Sequence, residues 1–485
     1  MKKLVALMLA FCMTAALGLS CARQGLSSDK ETTAAAETEP ETLSPEEARK
    51  AIPDNLPDKN YDGYTFTVLA RDRQDFIDDI GAGIEETGDV IDDAIYKRNS
   101  TVEERFNISI DAQHVPDPIS MLRQSVLAKD DAYDLMLSHV IECGSAALEG
   151  NYLDWYNDLP YVNLDQPWYI GNALDALSVK NRAYIMAGEY CLSILRFTYC
   201  MYFNKEIASD HNVGNLYSIV MDGGWTIDRL NEIVKGVYQD IDGDGQMTDK
   251  DLYGFTSDYW SAAITYQYAF DNPVMTKNSE GIPELAFNTP KLAQIVDKLY
   301  TFFYENPGSY VGDWGVSGPF WHEGRVLFLN GLFTNASTYR DLEFDFGIIP
   351  YPKWDEVQAR YYTMSDGAHD VMAVPITTDD PERTSIIVEA LNAESYKQVI
   401  PAYYETALKV KYTRDEESVQ VLDMVLEGRS FDFGYVYDGW QGLAFMVQNL
   451  TSRKSKDYAS EYQRLEKGAI VRYDKVIDAL LGLEE

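Results

Sequence analysis

The sequence predicts an α/β protein. Short apolar runs rich in β-branched and aromatic residues alternate with segments whose apolar residues fall at helical spacing, and hydroxyl or Asp caps followed by Pro mark several helix starts. The first strand is expected at Tyr64–Ala70 and the next at Asn107–Asp111, with a charged helical stretch between them. Tyr133–Ser138 has the unbroken apolar character of a buried parallel strand. Further strands are expected at Ala183–Met186, Thr198–Phe203, Val326–Leu329, Asp345–Ile349 and Val371–Ile376. Thr226 can cap a helix whose apolar face is Ile227, Leu230, Ile233, Val234 and Val237. Thr289-Pro290 and Asp380-Pro381 pair a capping side chain with an N1 proline, and the stretch from Ala459 to Leu483 has helical character. In such a fold ligands are favoured at the carboxyl ends of the strands.

Size and charge narrow the function. The chain has 485 residues, 46% of them hydrophobic, enough for about two to four domain-sized units. Acids outnumber bases 78 to 41, a net charge of −37, which repels phosphate backbones and anionic headgroups. Nucleic-acid binding and basic peripheral membrane binding are thereby excluded. Thirty-four Tyr and 8 Trp exceed what a core needs, and such rings tend to keep their polar tips wet.

Lys2 and Lys3 precede an apolar run from Leu4 to Leu19, the pattern of an export signal over residues 1–20. Ser20-Cys21 resembles a bacterial lipobox, which implies lipidation at Cys21; a plain secretory signal is the alternative. Residues 21–57 are Ser-, Thr-, Glu- and Pro-rich and are expected to form an extended acidic tether. Of the remaining cysteines, Cys143, Cys191 and Cys200 read as buried small hydrophobes, with a Cys191–Cys200 bridge left open.

Five runs in order resemble the extracellular solute-binding proteins of ABC transporters, the sugar-binding group known as family 1. They are AYDLMLSHVIECGSAALEGNYLDW, ILRFTYCMYFNKEIA, GGWTIDRLNEIV, FWHEGRVLFLNGLFTN, and FDFGIIPYPKW followed by SDGAHDVMAVPITTDDPE. The resemblance spans about residues 60–480. It implies a periplasmic-binding-protein-like fold of class II type, with two α/β lobes joined by crossing strands and closing as a hinged clamp. Lobe one would comprise 58–188 with about 366–405, and lobe two 189–365 with about 406–485. The implied protein is a monomeric receptor, held to the outer face of the cytoplasmic membrane by its lipid alone, that delivers a mono- or oligosaccharide to an ABC permease without chemistry. The substrate-contact residues it implies are Ser138 and His139 after the third strand, Glu189, Tyr190 and Arg196 at the first crossing, and Tyr259 and Trp260 for stacking. Asn330 and Asn335 in the turn after RVLFL, and Asp366 before the return strand, complete the set.

The most specific local motif is an EF-hand-like loop, expected to hold structural Ca²⁺. Asp240, Asp242 and Asp244 fall at loop positions 1, 3 and 5, Gly245 at 6, Gln246 at 7 with its carbonyl, Thr248 at 9 and Asp251 at 12. The entering helix is expected over 226–239, with a strand rather than a helix after the loop. The bland reading is a metal-free acidic turn. No H-E-x-x-H, G-x-S-x-G or P-loop occurs, and the five histidines have no paired ligand spacing. No enzyme is therefore expected, the alternatives being a lipid-anchored glycoside hydrolase, which needs only two carboxylates, or a peptide-binding receptor.

Overall fold

The computed structural model describes residues 43–482, apart from 74–75, 77–78, 413–415 and 439–441. The signal segment, Cys21 and most of the tether lie outside the described residues. The last part of the tether differs from expectation. Ser44-Pro-Glu-Glu47 forms a capping box, with Ser44 N donating to Glu47 Oε2 at 2.8 Å, and starts the helix Pro45–Lys50. Ile52 and Leu56 then pack against the core of the first sheet, so ordered structure begins before residue 58. Composition hid this, because one capping box and two apolar residues suffice to dock a segment that is otherwise polar.

In chain order the strands are β1 (Tyr64–Arg71), β2 (Ile108–Val115), β3 (Leu135–His139), β4 (Tyr199–Asn204), β5 (Tyr253–Asp258), β6 (Met275–Lys277) and β7 (Pro283–Leu285). They continue as β8 (Ser309–Gly312), β9 (Val326–Leu332), β10 (Phe346–Ile349), β11 (Thr363–Met364), β12 (Asp370–Ala373) and β13 (Arg429–Ser430). The first sheet has the order β12-β3-β1-β2, with β1 parallel to β2 and β3 and with β12 antiparallel, Asp370 opposite His139. The second has the order β10-β4-β9-β5-β8, with β4 antiparallel to both its neighbours and β5 parallel to β8 and β9. Two small pairings, β6 with β7 and β11 with β13, complete the strands. Ala183–Met186 forms no strand and contributes one bridge, Met186 to Met372, beyond the β12 edge.

The helix starts are where the capping chemistry places them. Thr226, Thr289 and Asp380 each accept a main-chain N–H from the first turn, opening Ile227–Lys235, Pro290–Tyr300 and Pro381–Glu394. The helix after Thr226 stops at Lys235, short of the expected 239. It lies directly on the second sheet: a Cβ at Gly308 would sit 1.8 Å from Val234 O, and one at Gly254 2.6 Å away. Only glycine allows that approach.

Two segments link the sheets. The outgoing one runs through the short helix Leu192–Arg196 into β4; the returning one runs through β11 to β12. They touch: Thr198 bridges Ser365, Asp366 N donates to Phe197 O at 2.8 Å, and Ser365 Oγ donates to Ile194 O at 2.8 Å. The core does not divide cleanly at this crossing. One apolar cluster continues from Leu69, Met136 and Val140 through Tyr435–Tyr437 to Phe255 and Phe328. The helix Phe433–Tyr437 reaches across to the helix Val140–Ala147, where a Cβ on Gly144 would meet Val436 at 2.7 Å. Cys143, Cys191 and Cys200 are buried and free, so Cys191 and Cys200 are not bridged.

Glu389 is a fully buried carboxyl on Pro381–Glu394, accepting from Trp168 Nε1 at 3.1 Å, Tyr169 OH at 2.6 Å and Asn163 N at 3.2 Å. Burial outweighs those donors and pushes its pKa up to about 7. The folded chain therefore holds a proton there that the unfolded chain releases near pH 4.5, and the stability contributed by the neutral form is lost as pH rises through 7. The stability of Glu389→Gln, followed by thermal melting, should rise relative to the parent between pH 5 and 8, by about 3 kcal/mol at most. Parallel melting curves at both pH values would contradict this.

Candidate functional site

A cavity of about 620 Å³ opens where the two sheets face each other. The first sheet and its connections supply Arg73, Phe76 and His139; the second side supplies Trp260, Trp314, Leu332 and Asn335. The crossings form its floor with Phe197, Tyr199, Asp366 and Gly367, and Tyr435, Phe445 and Gln448 close it from the C-terminal part. Its walls are thus carboxyl-end residues of β3 and β9 together with the segments that join the sheets, the position at which an open α/β sheet offers its ligand sites.

What sets the tryptophans of this cavity apart is their exposure. Trp155, Trp168, Trp225 and Trp321 are entirely buried, whereas Trp260 is 48% and Trp314 79% exposed, and both exposed indoles line this cavity. Phe76 and Phe197 meet at 5.2 Å between ring centroids, and Tyr435 and Phe445 lie 5.2 Å apart at 34°. Gly367 is required here because a Cβ would lie 2.2 Å from the Tyr435 hydroxyl.

The polar groups are held in fixed orientations. Asp366 accepts from Tyr199 OH at 2.7 Å and from Ala368 N at 2.9 Å. Asn335 Oδ1 accepts Leu332 N at 2.7 Å, which leaves its amide nitrogen as the group it can offer. His139 caps the helix Val140–Ala147 by accepting Ile141 N on Nδ1 at 3.2 Å. With Nδ1 as acceptor the proton resides on Nε2. Burial, aided by the neighbouring Arg71 charge, pulls its pKa down to about 3, and burial lowers His369 to about 4. Arg71 itself is paired with the buried Asp370, so it supports the wall without offering its charge.

No family model matches the sequence, and no curated protein matches it. Solved structures do. UgpB from Mycobacterium tuberculosis, in complex with glycerophosphocholine, is 15% identical with a TM-score of 0.56, over 86% of this chain and 99% of that one. A cyclo/maltodextrin-binding protein complexed with maltotetraose is 12% identical with a TM-score of 0.55, over 85% and 96%. The GacH receptor of Streptomyces glaucescens is 10% identical with a TM-score of 0.53, over 87% and 98%. The chain has the periplasmic-binding-protein-like α/β fold of these proteins. The likeness to extracellular solute-binding proteins read from the sequence is borne out at the level of fold.

Within this fold the ten residues singled out from the sequence separate into two groups. His139, Trp260, Asn335 and Asp366 come together in the cavity wall. The other six do not reach it. Ser138 is fully buried within β3. Tyr190 is fully buried with the Arg98 guanidinium 4.6 Å over its ring. Glu189 feels Arg429 and Arg49, not Arg196, and burial raises its pKa. Arg196 is half-buried at the end of the crossing helix, its carbonyl accepting Thr334 N at 2.9 Å. Tyr259 is turned to Asp313. Asn330 is tied behind the wall by Ser257 Oγ at 3.0 Å and Tyr266 OH at 3.3 Å. Alternation along a strand decides such cases: Ser138 and His139 are neighbours, yet consecutive side chains take opposite faces. Sequence reading missed Trp314, whose placement between glycines in VGDWGVSG was the available signal, and Tyr435, Phe445 and Gln448, which had none.

The acidic loop is a separate site. Asp240, Asp242 and Asp244 each bring a carboxylate oxygen within 4.8 Å of the others. Gly243 and Gly245 have φ of 74° and 73°, which lets Asp240 accept both of their N–H groups, at 2.7 and 2.9 Å. Gln239 and Leu252 clasp the loop ends with two main-chain bonds of 3.0 Å, and β5 follows at once, as expected. Thr248 and Asp251 play a different part. Asp251 is buried, accepts Thr248 N at 2.9 Å and Tyr238 OH at 3.1 Å, and stands outside the acidic trio. Those bonds, the Thr248 main chain first, hold its pKa low. The Gln246 carbonyl lies 3.5 Å from Tyr238 OH.

Because burial holds His139 neutral, its ring ¹⁵N shifts should remain those of an Nε2–H imidazole from pH 8 down to pH 5. A titration with a midpoint near 6.5 would show that the ring is open to water instead.

Proposed function

We propose that the chain is a family 1 solute-binding receptor of an ABC importer, capturing a carbohydrate between its lobes and passing it intact to a membrane permease. The observation that carries this reading is the pair of exposed indoles, Trp260 and Trp314, on a cavity that also presents Arg73, Asp366, Asn335 and Gln448. Aromatic faces suit the apolar side of a pyranose, and the fixed polar groups suit its hydroxyls. The fold supports it too, since structural neighbours hold small solutes, maltotetraose in the cyclo/maltodextrin-binding protein and glycerophosphocholine in UgpB. Lobe movement about the paired crossings would close the clamp, with residues 58–188 and about 366–405 on one side and 189–365 and about 406–485 on the other.

The chain is read as a receptor and not as an enzyme. The structural neighbours that share its fold are binding proteins, a cyclo/maltodextrin-binding protein among them. Export with residues 1–20, lipidation at Cys21, a monomeric state and delivery at the outer face of the cytoplasmic membrane complete the proposal. No described helix is long and apolar enough to cross a membrane.

A thermal-shift screen tests the central claim. A sugar at a hundred times its Kd should add about 2.7 kcal/mol of stability and raise the melting temperature, while remaining chemically unchanged. Trp314→Ala should weaken that sugar about tenfold without lowering the unliganded melting temperature, because the indole is exposed. A peptide that shifts the melt where sugars do not would replace this reading, and so would turnover of any sugar.

The proposal includes one structural Ca²⁺ at the acidic loop. Asp240, Asp242, Asp244 and the Gln246 carbonyl would hold it, while Asp251 braces the loop from behind. Bound there, the ion would neutralise three clustered carboxylates and clip the helix Ile227–Lys235 to β5. Chelator should lower the melting temperature and added Ca²⁺ restore it. A melt indifferent to both would remove the ion from the account.

A further inference from the structure

Lys353 follows β10 and is 4% exposed. Its main chain is fixed by Lys353 N to Trp225 O at 3.0 Å and Ile227 N to Lys353 O at 2.9 Å. Its Nζ donates to Gln358 O at 3.0 Å and lies 5.4 Å from the centre of the Tyr361 ring. An ammonium has three N–H donors, and among the described residues Nζ has neither a second acceptor nor a carboxylate within ion-pair distance. The nearby end of the helix Leu216–Met221 does not compensate, because Val220 O already accepts from Tyr361 OH and Gly223 N, each at 2.9 Å. Buried charges are ordinarily paired. In a chain with 78 acids and 41 bases, carboxylate partners are abundant, so a buried ammonium without one calls for an anion from outside.

Lys353 forms part of the wall of a pocket of about 210 Å³ that shares no residue with the cleft between the sheets. Met221, Met424 and Tyr361 give it an apolar side. Arg360 stands at its rim, exposed, with its guanidinium 4.7 Å over the Tyr362 ring and no ion pair among the described residues. Glu427 stands at the same rim. We propose that this pocket is a second binding site that takes a small organic monocarboxylate, its carboxylate between Lys353 and Arg360 and its alkyl part against Met221 and Met424. Two cations beside one carboxylate leave a net of one positive charge, which matches a monoanion. A phosphate or a dicarboxylate would meet repulsion from Glu427 and from the net charge of −37.

The probe is butyrate, titrated against chloride at equal ionic strength and saturating Ca²⁺ by calorimetry, by melting temperature and by ligand-observed NMR. The full chain should bind it saturably. Lys353→Met, which keeps the buried stem and removes the charge, should lose that binding. Arg360→Gln, at an exposed position, should weaken it at least fivefold. Trp314→Ala should leave butyrate binding unchanged, so failure here and failure of the sugar reading are separate results. Absence of saturable binding to the full chain would overturn the proposal, as would tighter binding of inorganic phosphate than of butyrate. Equal affinity in Arg360→Gln would also overturn it, and this variant decides the matter even where Lys353→Met does not fold.

Discussion

The main-chain bond from Asp366 N to Phe197 O ties the outgoing crossing to the returning one, and the cleft depends on that tie. It brings Phe197, Tyr199 and Asp366 to one floor although about 170 residues separate them in sequence. Tyr199 OH on Asp366 and Thr363 Oγ1 on Tyr199 O, at 2.7 and 2.8 Å, repeat the connection with side chains. A floor made of two paired segments is narrow enough to bend and rigid enough to keep its polar groups aimed.

Aromatic residues do two different jobs here. In the interior, Tyr202, Trp321, Tyr339 and Phe346 meet edge to face or tilted at 5.1–6.3 Å and pack the core. At the cleft, Trp260 and Trp314 leave large apolar faces in water, at a cost that a partner surface would offset. The electrostatics divide in a similar way. Around the first sheet several buried charges are paired or suppressed, since Arg71 meets Asp370, burial raises the Glu389 carboxyl and His139 is kept uncharged, while the fully buried Arg98 rests on the Asp79 and Ile80 carbonyls. Lys353 is less well satisfied than Arg98, with the Gln358 carbonyl as its one acceptor among the described residues.

The elements with local signals were legible. Thr226, Thr289 and Asp380 announce their helices because a cap is satisfied by the next turn alone. β3, β4, β9 and β10 were visible as apolar runs because they are buried on both faces over most of their length, and β1 because it is so from Val68 onward. β8, with every residue half-buried, gave no such run, and the order of strands in each sheet depends on pairings between distant segments. The site was less legible. His139, Trp260, Asn335 and Asp366 share the wall, while Ser138, Glu189, Tyr190, Arg196, Tyr259 and Asn330 point elsewhere; motif position locates a backbone, not the face its side chain takes.

The sequence by itself determined the α/β alternation, the helix caps, the acidic loop and the exclusion of nucleic acid, because each follows from neighbouring residues or from total charge. Tertiary structure alone decided that Trp260 and Trp314 stand in water at the cleft, that Tyr435 and Phe445 from the C-terminal part close the cleft, and that among the described residues Lys353 is buried without a counter-charge. Exposure and pairing are properties of what lies across space from a side chain, and nothing adjacent in the chain encodes them.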